Sequence, residues 1–103
     1  MTRFPTVDER RKRTRLEQGL SKGKVLVHLD PRHSDVEVPE AFRNDPALAL
    51  NFSHQFPFAN TTVGPFSIDA FLSFGGERFQ CSIPYGSVFC VTEVASNDAT
   101  WFP

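Results

Sequence analysis

The spacing of apolar residues divides the chain at about residue 24. In the first part, the stretch Thr6-Val7-Asp8-Glu9 has the capping-box pattern of a helix N-terminus. The pattern predicts a helix from about Val7 to Gln18 that ends at Gly19. Its apolar positions are Val7, Leu16 and Leu20. We therefore expect a helix with a thin buried stripe, attached to the rest of the chain as an appendage.

From Lys24 onward, apolar residues recur at every second position, which is typical of strands. The predicted strands are Val25–Leu29, Val36–Val38, Leu48–Phe52, Phe66–Phe74, Phe79–Ile83 and Val88–Val94. Helical turns are expected at Glu40–Asn44 and around Tyr85. This spacing predicts a mainly β fold, a small open β-barrel or sandwich of five to six short, mostly antiparallel strands with one N-terminal helix. We expect residues 1–23 to form a basic helix and loop, and residues 24–103 to form one globular β domain.

The stretch LSFGGERFQCSIP at 72–84 combines a turn signal with many apolar residues. Gly75-Gly76 predicts a two-residue hairpin turn with positive φ angles. In the strand before it, Leu72 and Phe74 point to one face, and Phe71 points to the other. Either another element covers Phe71, or the sheet exposes an apolar strip that can accept an extended peptide. The spacing leaves both alternatives open.

Charge is distributed unevenly along the chain. Residues 1–24 carry eight Lys or Arg against three acidic residues, a net charge of +5, and the remaining residues carry three against nine, a net charge of −6. The run Arg10–Arg15 is either a phosphate contact or a solvated helix face, and the acidic body favours the second. Beyond residue 43, Arg78 is the only Lys or Arg among the aromatic residues, so we expect no nucleic-acid partner. An RNA-associated small barrel that uses the basic helix is the alternative function.

The chain has no pattern of a catalytic site. No GxSxG surrounds a serine, and the carboxylates are isolated. His28, His33 and His54 lack the spacing of metal ligands. We therefore expect no enzyme, metal or cofactor. We expect Cys81 and Cys90 to be reduced residues of the core. Because the sequence has neither a membrane-length apolar run nor an N-terminal signal core, we expect a cytoplasmic location and no membrane.

Six short elements stand in the order and spacing of a known bacterial family. They are Val38-Pro39, Phe42, LALNFS at 48–53, LSFGG at 72–76, CSIP at 81–84, and Val88 with Val91. They cover about residues 24–103 and resemble the stringent starvation protein B (SspB) family. Trp101-Phe102 is similar to the apolar pair that follows the last strand there.

This resemblance implies a proteolysis adaptor. SspB proteins bind ssrA degradation-tag peptides and deliver tagged substrates to the ClpX ATPase of the ClpXP protease, and their N-terminal helix pairs two subunits. Carried over to this chain, the peptide groove would involve eight residues. They are Phe42, Asn51, Phe52, Ser53, Phe71, Leu72, Ser73 and Phe74. The Arg-rich helix departs from the family pattern, so we expect at most a weak homodimer through Val7, Leu16 and Leu20.

Family members also carry, beyond the folded body, a flexible acidic segment and a short module that docks on the protease. The sequence ends at Pro103 without either composition. The expectation is that this chain binds a tag without accelerating degradation, and inhibits it at excess. Either the native protein is longer and this is its body alone, or the basic arm Arg10–Arg15 docks on the protease instead.

Overall fold

A capping box starts the helix, as predicted. The structure, a computed structural model, describes residues 3–103, and α1 spans Val7–Lys22. The Glu9 N–H donates to Thr6 Oγ1 at 3.1 Å, and the Thr6 N–H donates to Glu9 Oε1 at 2.9 Å. These bonds satisfy two of the backbone donors that a helix N-terminus leaves without partners.

The predicted end of the helix at Gly19 is wrong. Gly19 is buried where α1 crosses the first strand, and an added Cβ would lie 2.5 Å from Val25 Cγ1. The glycine therefore allows close packing and does not end the helix. Gly23 is the C-cap, with a φ of 142° that favours glycine.

Two antiparallel sheets form the body of the chain. In residues 3–103 the strands are β1 Val25–Leu29, β2 Leu48–Phe52, β3 Thr62–Val63, β4 Ser67–Phe74, β5 Glu77–Pro84, β6 Val88–Glu93 and β7 Asp98–Trp101. Their orders are β2-β1-β6-β7 and β3-β4-β5. The predicted mainly β class with one helix is confirmed, and the sheets are not closed into a barrel.

The strand count differs from the prediction at three places. The short strands β3 and β7 were not predicted, because they have two and four residues and give too short a pattern. The predicted strand Val36–Val38 is a single bridge between Glu37 and Ser82. Short 3₁₀ turns at Glu40–Phe42 and Tyr85–Ser87 match the predicted helical turns.

The core lies between the inner faces of the two sheets and beneath α1. Alternate residues of β1, β2 and β4 are buried, as the two-residue period predicts. Leu16 and Leu20 of α1 are 0% and 4% exposed in the same cluster. The helix is therefore part of the core, and its description as an appendage is wrong.

Charged residues fasten α1 to the sheet. Arg15 Nη1 lies 2.7 Å from Glu93 Oε2, and both side chains are nearly buried. Lys12 is buried with its Nζ 3.2 Å from Asp8 Oδ2. The solvated-face interpretation thus holds for Arg10 and Arg11, which are exposed, but not for Lys12 and Arg15.

The structure was also searched for a membrane-crossing helix. In residues 3–103, no helix combines the length and the apolar character that spanning a bilayer requires.

Candidate peptide-binding cleft

The β4–β5 hairpin leaves backbone groups of β4 open. Gly75 and Gly76 have φ angles of 58° and 90°, and Phe74 faces Glu77 across this two-residue turn, as predicted. In such a hairpin the residues that flank the turn exchange both hydrogen bonds, and every second pair repeats the exchange. Phe71 and Ser73 fall between the bonded pairs, so their N–H and C=O groups point away from β5.

A contact from the loop after β2 supports this direction. The Phe71 N–H donates to the carbonyl of Ala59 at 2.8 Å, on the side opposite β5. β3 covers β4 only at Ile68 and Asp69. The edge of β4 at Ser73 therefore has no strand beside it among the described residues.

β2 presents a second open edge. The Val94 N–H donates to the Lys24 carbonyl at 3.1 Å, so the adjacent pair Val25 and Glu93 is not directly bonded. Val25 must then direct its backbone groups towards β2. By alternation, Ala49 and Asn51 of β2 direct theirs away from β1, towards the outside of the sheet.

These two edges border one cleft of about 500 Å³, here called the β2–β4 cleft. β2 contributes Ala49 and Asn51, the loop after it contributes Phe56 and Ala59, and β4 contributes residues 71–74. None of the described lining residues is charged. The cleft therefore combines apolar side chains with backbone donors and acceptors, which is the surface that an extended peptide requires.

A second cavity of about 560 Å³ adjoins the β2–β4 cleft at Phe74. Phe42 and Phe79 line it, and the Phe42 and Phe74 rings lie 5.3 Å apart between centroids. Glu77 and Arg78 are its charged residues. A side chain of a peptide in the first cleft could enter this largely apolar cavity.

Six of the eight predicted site residues line these two cavities. Asn51 and residues 71–74 line the β2–β4 cleft, and Phe42 lines the second cavity. Phe52 and Ser53 line neither. Phe52 is fully buried in the core, and Ser53 is buried with its Oγ accepting from the Gln55 N–H at 3.0 Å. The cleft runs along strand edges, so consecutive residues such as 71–74 can line it, but Phe52 does not because its side chain lies in the core.

Phe71 is half-buried. The sequence left open whether another element covers this residue or whether it is exposed, and the structure shows an intermediate case. The Arg78 guanidinium lies 4.7 Å above its ring centre, and Arg78 Nη2 donates to the carbonyl of Phe58. Arg78 thus covers one side of the ring and ties the loop to β5. Phe71 is also one of the residues that line the cleft.

The loop residues were not predicted as part of the site. Residues 53–65 stand out in the sequence as a polar loop of the length that often carries function. That signal does not identify Phe56 or Ala59, because irregular backbone has no period from which to infer which side chains face inward.

The cysteines lie outside the two cavities. Cys81 and Cys90 are free and buried. Cys81 belongs to the core cluster, as predicted, whereas Cys90 lies on the outer face of the sheet opposite His28 and Trp101. Burial raises the pKa of the Cys81 thiol to about 11, so this thiol stays protonated at neutral pH. Within residues 3–103, no three His, Cys, Asp or Glu side chains gather in the arrangement of a metal site.

Comparison with other proteins does not identify a relative. No model of a known protein family matches the chain, and no curated protein matches it. The resemblance to the SspB family stays a prediction.

Proposed function

We propose that this chain is a proteolysis adaptor of the SspB type, which binds ssrA-type tag peptides in the β2–β4 cleft. The observation that carries the proposal is the pair of open strand edges beside one uncharged, partly aromatic cleft. Ser73 on one edge and Asn51 on the other direct their backbone groups away from the neighbouring strand, on the side of the cleft. Strand addition of this kind takes its affinity from main-chain hydrogen bonds and its selectivity from side-chain pockets.

The proposed ligand lies extended between β2 and β4. Its alternate side chains face the aromatic wall at Phe71 and the second cavity at Phe42. An uncharged tag segment fits best, because a Lys, Asp or Glu side chain would lose solvent without gaining a charged partner in the cleft.

Delivery to the ClpX ATPase of the ClpXP protease is the second part of the proposal. An adaptor that holds a tag and also docks on the protease raises the local substrate concentration, so modest affinities are sufficient. Arg10 and Arg11 are the exposed cations of the helix that could make such a contact. The proposed setting is the bacterial cytoplasm.

A weak homodimer through α1 is part of the same family pattern. Leu16 and Leu20 pack into the core of their own chain, while Val7 is 57% exposed. Of the three apolar residues expected in the dimer contact, Val7 alone has substantial exposed surface. Sedimentation of Val7→Glu beside the unchanged protein tests whether it contributes.

Binding is tested by fluorescence anisotropy with a labelled ssrA peptide and with a short RNA, at low and moderate salt. We expect peptide binding that persists at moderate salt, since its contacts are apolar and main-chain. RNA binding that is stronger and disappears with salt would contradict the proposal in favour of the RNA alternative.

A matched pair of proline variants tests the strand-addition mode. Ser73→Pro removes an N–H that points into the cleft, and Ala99→Pro removes one at the edge of β7, away from the cleft. Proline is tolerated at edge positions whose N–H faces outward. We expect Ser73→Pro to abolish tag binding and Ala99→Pro to preserve it, with thermal melting as the check on folding. Equal affinities of the two folded variants would contradict the mode.

Delivery requires a separate degradation assay with ClpXP and a tagged substrate. Because Leu16 lies in the core, deleting residues 1–19 would damage the fold, so the arm is tested with Arg10→Glu/Arg11→Glu. Stimulation that is lost in this variant supports docking through the arm. Inhibition by the unchanged chain at excess supports tag binding and contradicts delivery by these residues alone.

A further inference from the structure

The edge of β7 is open and lies at the other end of the four-stranded sheet from β2. The Phe102 N–H donates to the Phe89 carbonyl at 2.8 Å, so the adjacent pair Cys90 and Trp101 is not directly bonded. Trp101 and, by alternation, Ala99 therefore direct their N–H and C=O groups away from β6. These groups are available to a further strand.

The two sides of this edge have different chemistry. On the helix side, Thr100 Oγ1 accepts from Arg15 Nε at 2.7 Å. On the opposite side, Trp101 is 68% exposed and stacks against His28 and Phe89, with ring centroids 6.4 and 6.0 Å away. A strand added beside β7 would send alternate side chains to these two sides.

On the helix side, Asp98 and Glu93 are paired with Arg15, and the groove beside them is basic. A groove of about 430 Å³ runs between α1 and the end of β7, and Arg10 and Arg11 line it together with Val7 and Phe102. Across residues 3–103, neither arginine forms an ion pair, whereas Lys12, Arg13 and Arg15 each have a carboxylate partner. The two unpaired guanidinium groups can therefore form ion pairs with acidic side chains of a ligand.

The opposite side is uncharged. The outward-facing positions of the sheet nearest β7 are Cys90 and Thr92 on β6 and Leu26 and His28 on β1, beside Ala99 and Trp101. None of them is Lys, Arg, Asp or Glu. This side therefore suits aromatic or apolar side chains, for which Trp101 offers an exposed ring.

We propose that the β7 edge binds an extended partner segment in which acidic residues alternate with apolar or aromatic ones. The acidic side chains meet Arg10 and Arg11, and the apolar ones meet Trp101. The site is separate from the β2–β4 cleft and does not depend on the proposed adaptor function. Since β7 has four residues, the paired segment is short, about five residues or 16 Å.

A second copy of this chain is a poorer occupant of the edge. Two-fold pairing of β7 with β7 would extend the sheet across both copies and place both α1 helices on the same side. Arg10 and Arg11 of the two copies would then approach one another, and like charges oppose such an interface. Self-association at the edge would appear as a dimer in sedimentation and would contradict the proposed occupant.

Synthetic peptides provide the test, with Trp101 as the reporter because it is the only tryptophan of the chain. One nine-residue peptide alternates Glu with Val and Phe, a second has Lys in place of each Glu, and a third has the residues of the first in two blocks. We expect the first to shift the Trp101 emission and to bind at least about tenfold more tightly than the other two at low salt. Equal binding of the first two would overturn the proposal.

Variants of the protein separate this site from a general charge effect. Arg11→Gln should weaken binding of the alternating Glu peptide about threefold, and Arg43→Gln, which removes one positive charge elsewhere, should leave it unchanged. Ala99→Pro should abolish binding, and Ser73→Pro should preserve it. Equal losses in the two arginine variants, or displacement of the peptide by an ssrA peptide, would place binding elsewhere and contradict the proposal. The absence of a shift in Trp101 emission at millimolar concentrations of the alternating Glu peptide would also contradict the proposal.

Discussion

Apolar side chains and polar groups are buried and paired in the helix-covered part of the sheet, whereas in the β2–β4 cleft they are partly exposed and unpaired. Under α1, Leu16 is fully buried and Arg15 is paired with Glu93. In the cleft, Phe71 is half-exposed, and the backbone groups of Asn51 and Ser73 point outward with no strand of residues 3–103 beside them. A fold gains stability by pairing and burying such groups, and it gains binding capacity by leaving them open. Substitutions in the first region should therefore change stability, and those in the second should change affinity.

The largest expected effect is that of Leu16→Ala. Removing a fully buried leucine should lower the free energy of unfolding by about 2–5 kcal/mol. Val7→Ala, on the exposed side of the same helix, is the control and should change it by less than about 0.5 kcal/mol. Urea titration of both variants gives the comparison. Equal losses of unfolding free energy in the two variants would show that the helix is an appendage and not part of the core.

Replacement of Gly76 by valine should have the next largest effect. A φ of 90° is strained for a β-branched residue, so we expect a loss on the order of 1–3 kcal/mol. Gly76→Asn should lose clearly less, because asparagine tolerates positive φ better. A melting temperature of Gly76→Val equal to or above that of Gly76→Asn would show that the turn changes conformation to relieve the strain.

A pH titration tests the charged contact under α1. Hydrogen bonding from Arg15 lowers the pKa of Glu93 below its ordinary value of 4.5. The folded state therefore favours the ionised carboxylate, and the resulting stability is complete above pH 4.5 and is lost as the pH falls through the folded pKa. In Arg15→Gln the decrease in Tm between pH 6 and 3 should be smaller than in the unchanged protein. Arg10→Gln is the control, and a decrease in Arg15→Gln as large as in that control would contradict the contact.

Phe71→Ala should have the smallest effect on stability and a large one on binding. The ring is half-exposed, so its loss should cost clearly less than the 3–5 kcal/mol typical of a buried phenylalanine. Affinity for an ssrA peptide should fall about tenfold, since aromatic walls carry much of the energy of such interfaces. Phe89→Ala, a half-buried phenylalanine on the outer side of the sheet, should keep the affinity. Loss of folding in Phe71→Ala would place Phe71 in the core.

The sequence predicts the fold well wherever burial differs between the two faces of a strand. In β4, the alternation of Ile68, Ala70 and Leu72 with Phe71 and Ser73 appears unchanged in the structure. β7 shows no alternation in burial, because its four residues lie at a sheet edge and none of them is buried. Gly19 shows another limit, since a glycine required for close packing looks the same in sequence as one that ends a helix.

The candidate site can also be predicted where its residues lie in strands, and not where they lie in an irregular loop. Alternation assigns Phe71 to the face opposite Leu72, and the structure places it in the wall of the cleft. The resemblance assigns Phe52 to the groove together with Asn51, but its side chain points to the other face of β2 and lies in the core. Phe56 and Ala59 come from an irregular loop, whose packing depends on residues far away in sequence.

The central claim is that an extended peptide pairs with the open edges of β2 and β4, and residue-resolved amide hydrogen exchange tests it most directly. With a saturating ssrA peptide, the account predicts new protection at Ser73, Ala49 and Asn51, whose N–H groups face the cleft. Ala70, already paired with β5, and Ala99, at the distant β7 edge, should exchange at unchanged rates. Peptide binding that leaves the Ser73 and Asn51 amides unprotected, or that protects Ala99 instead, would contradict the account.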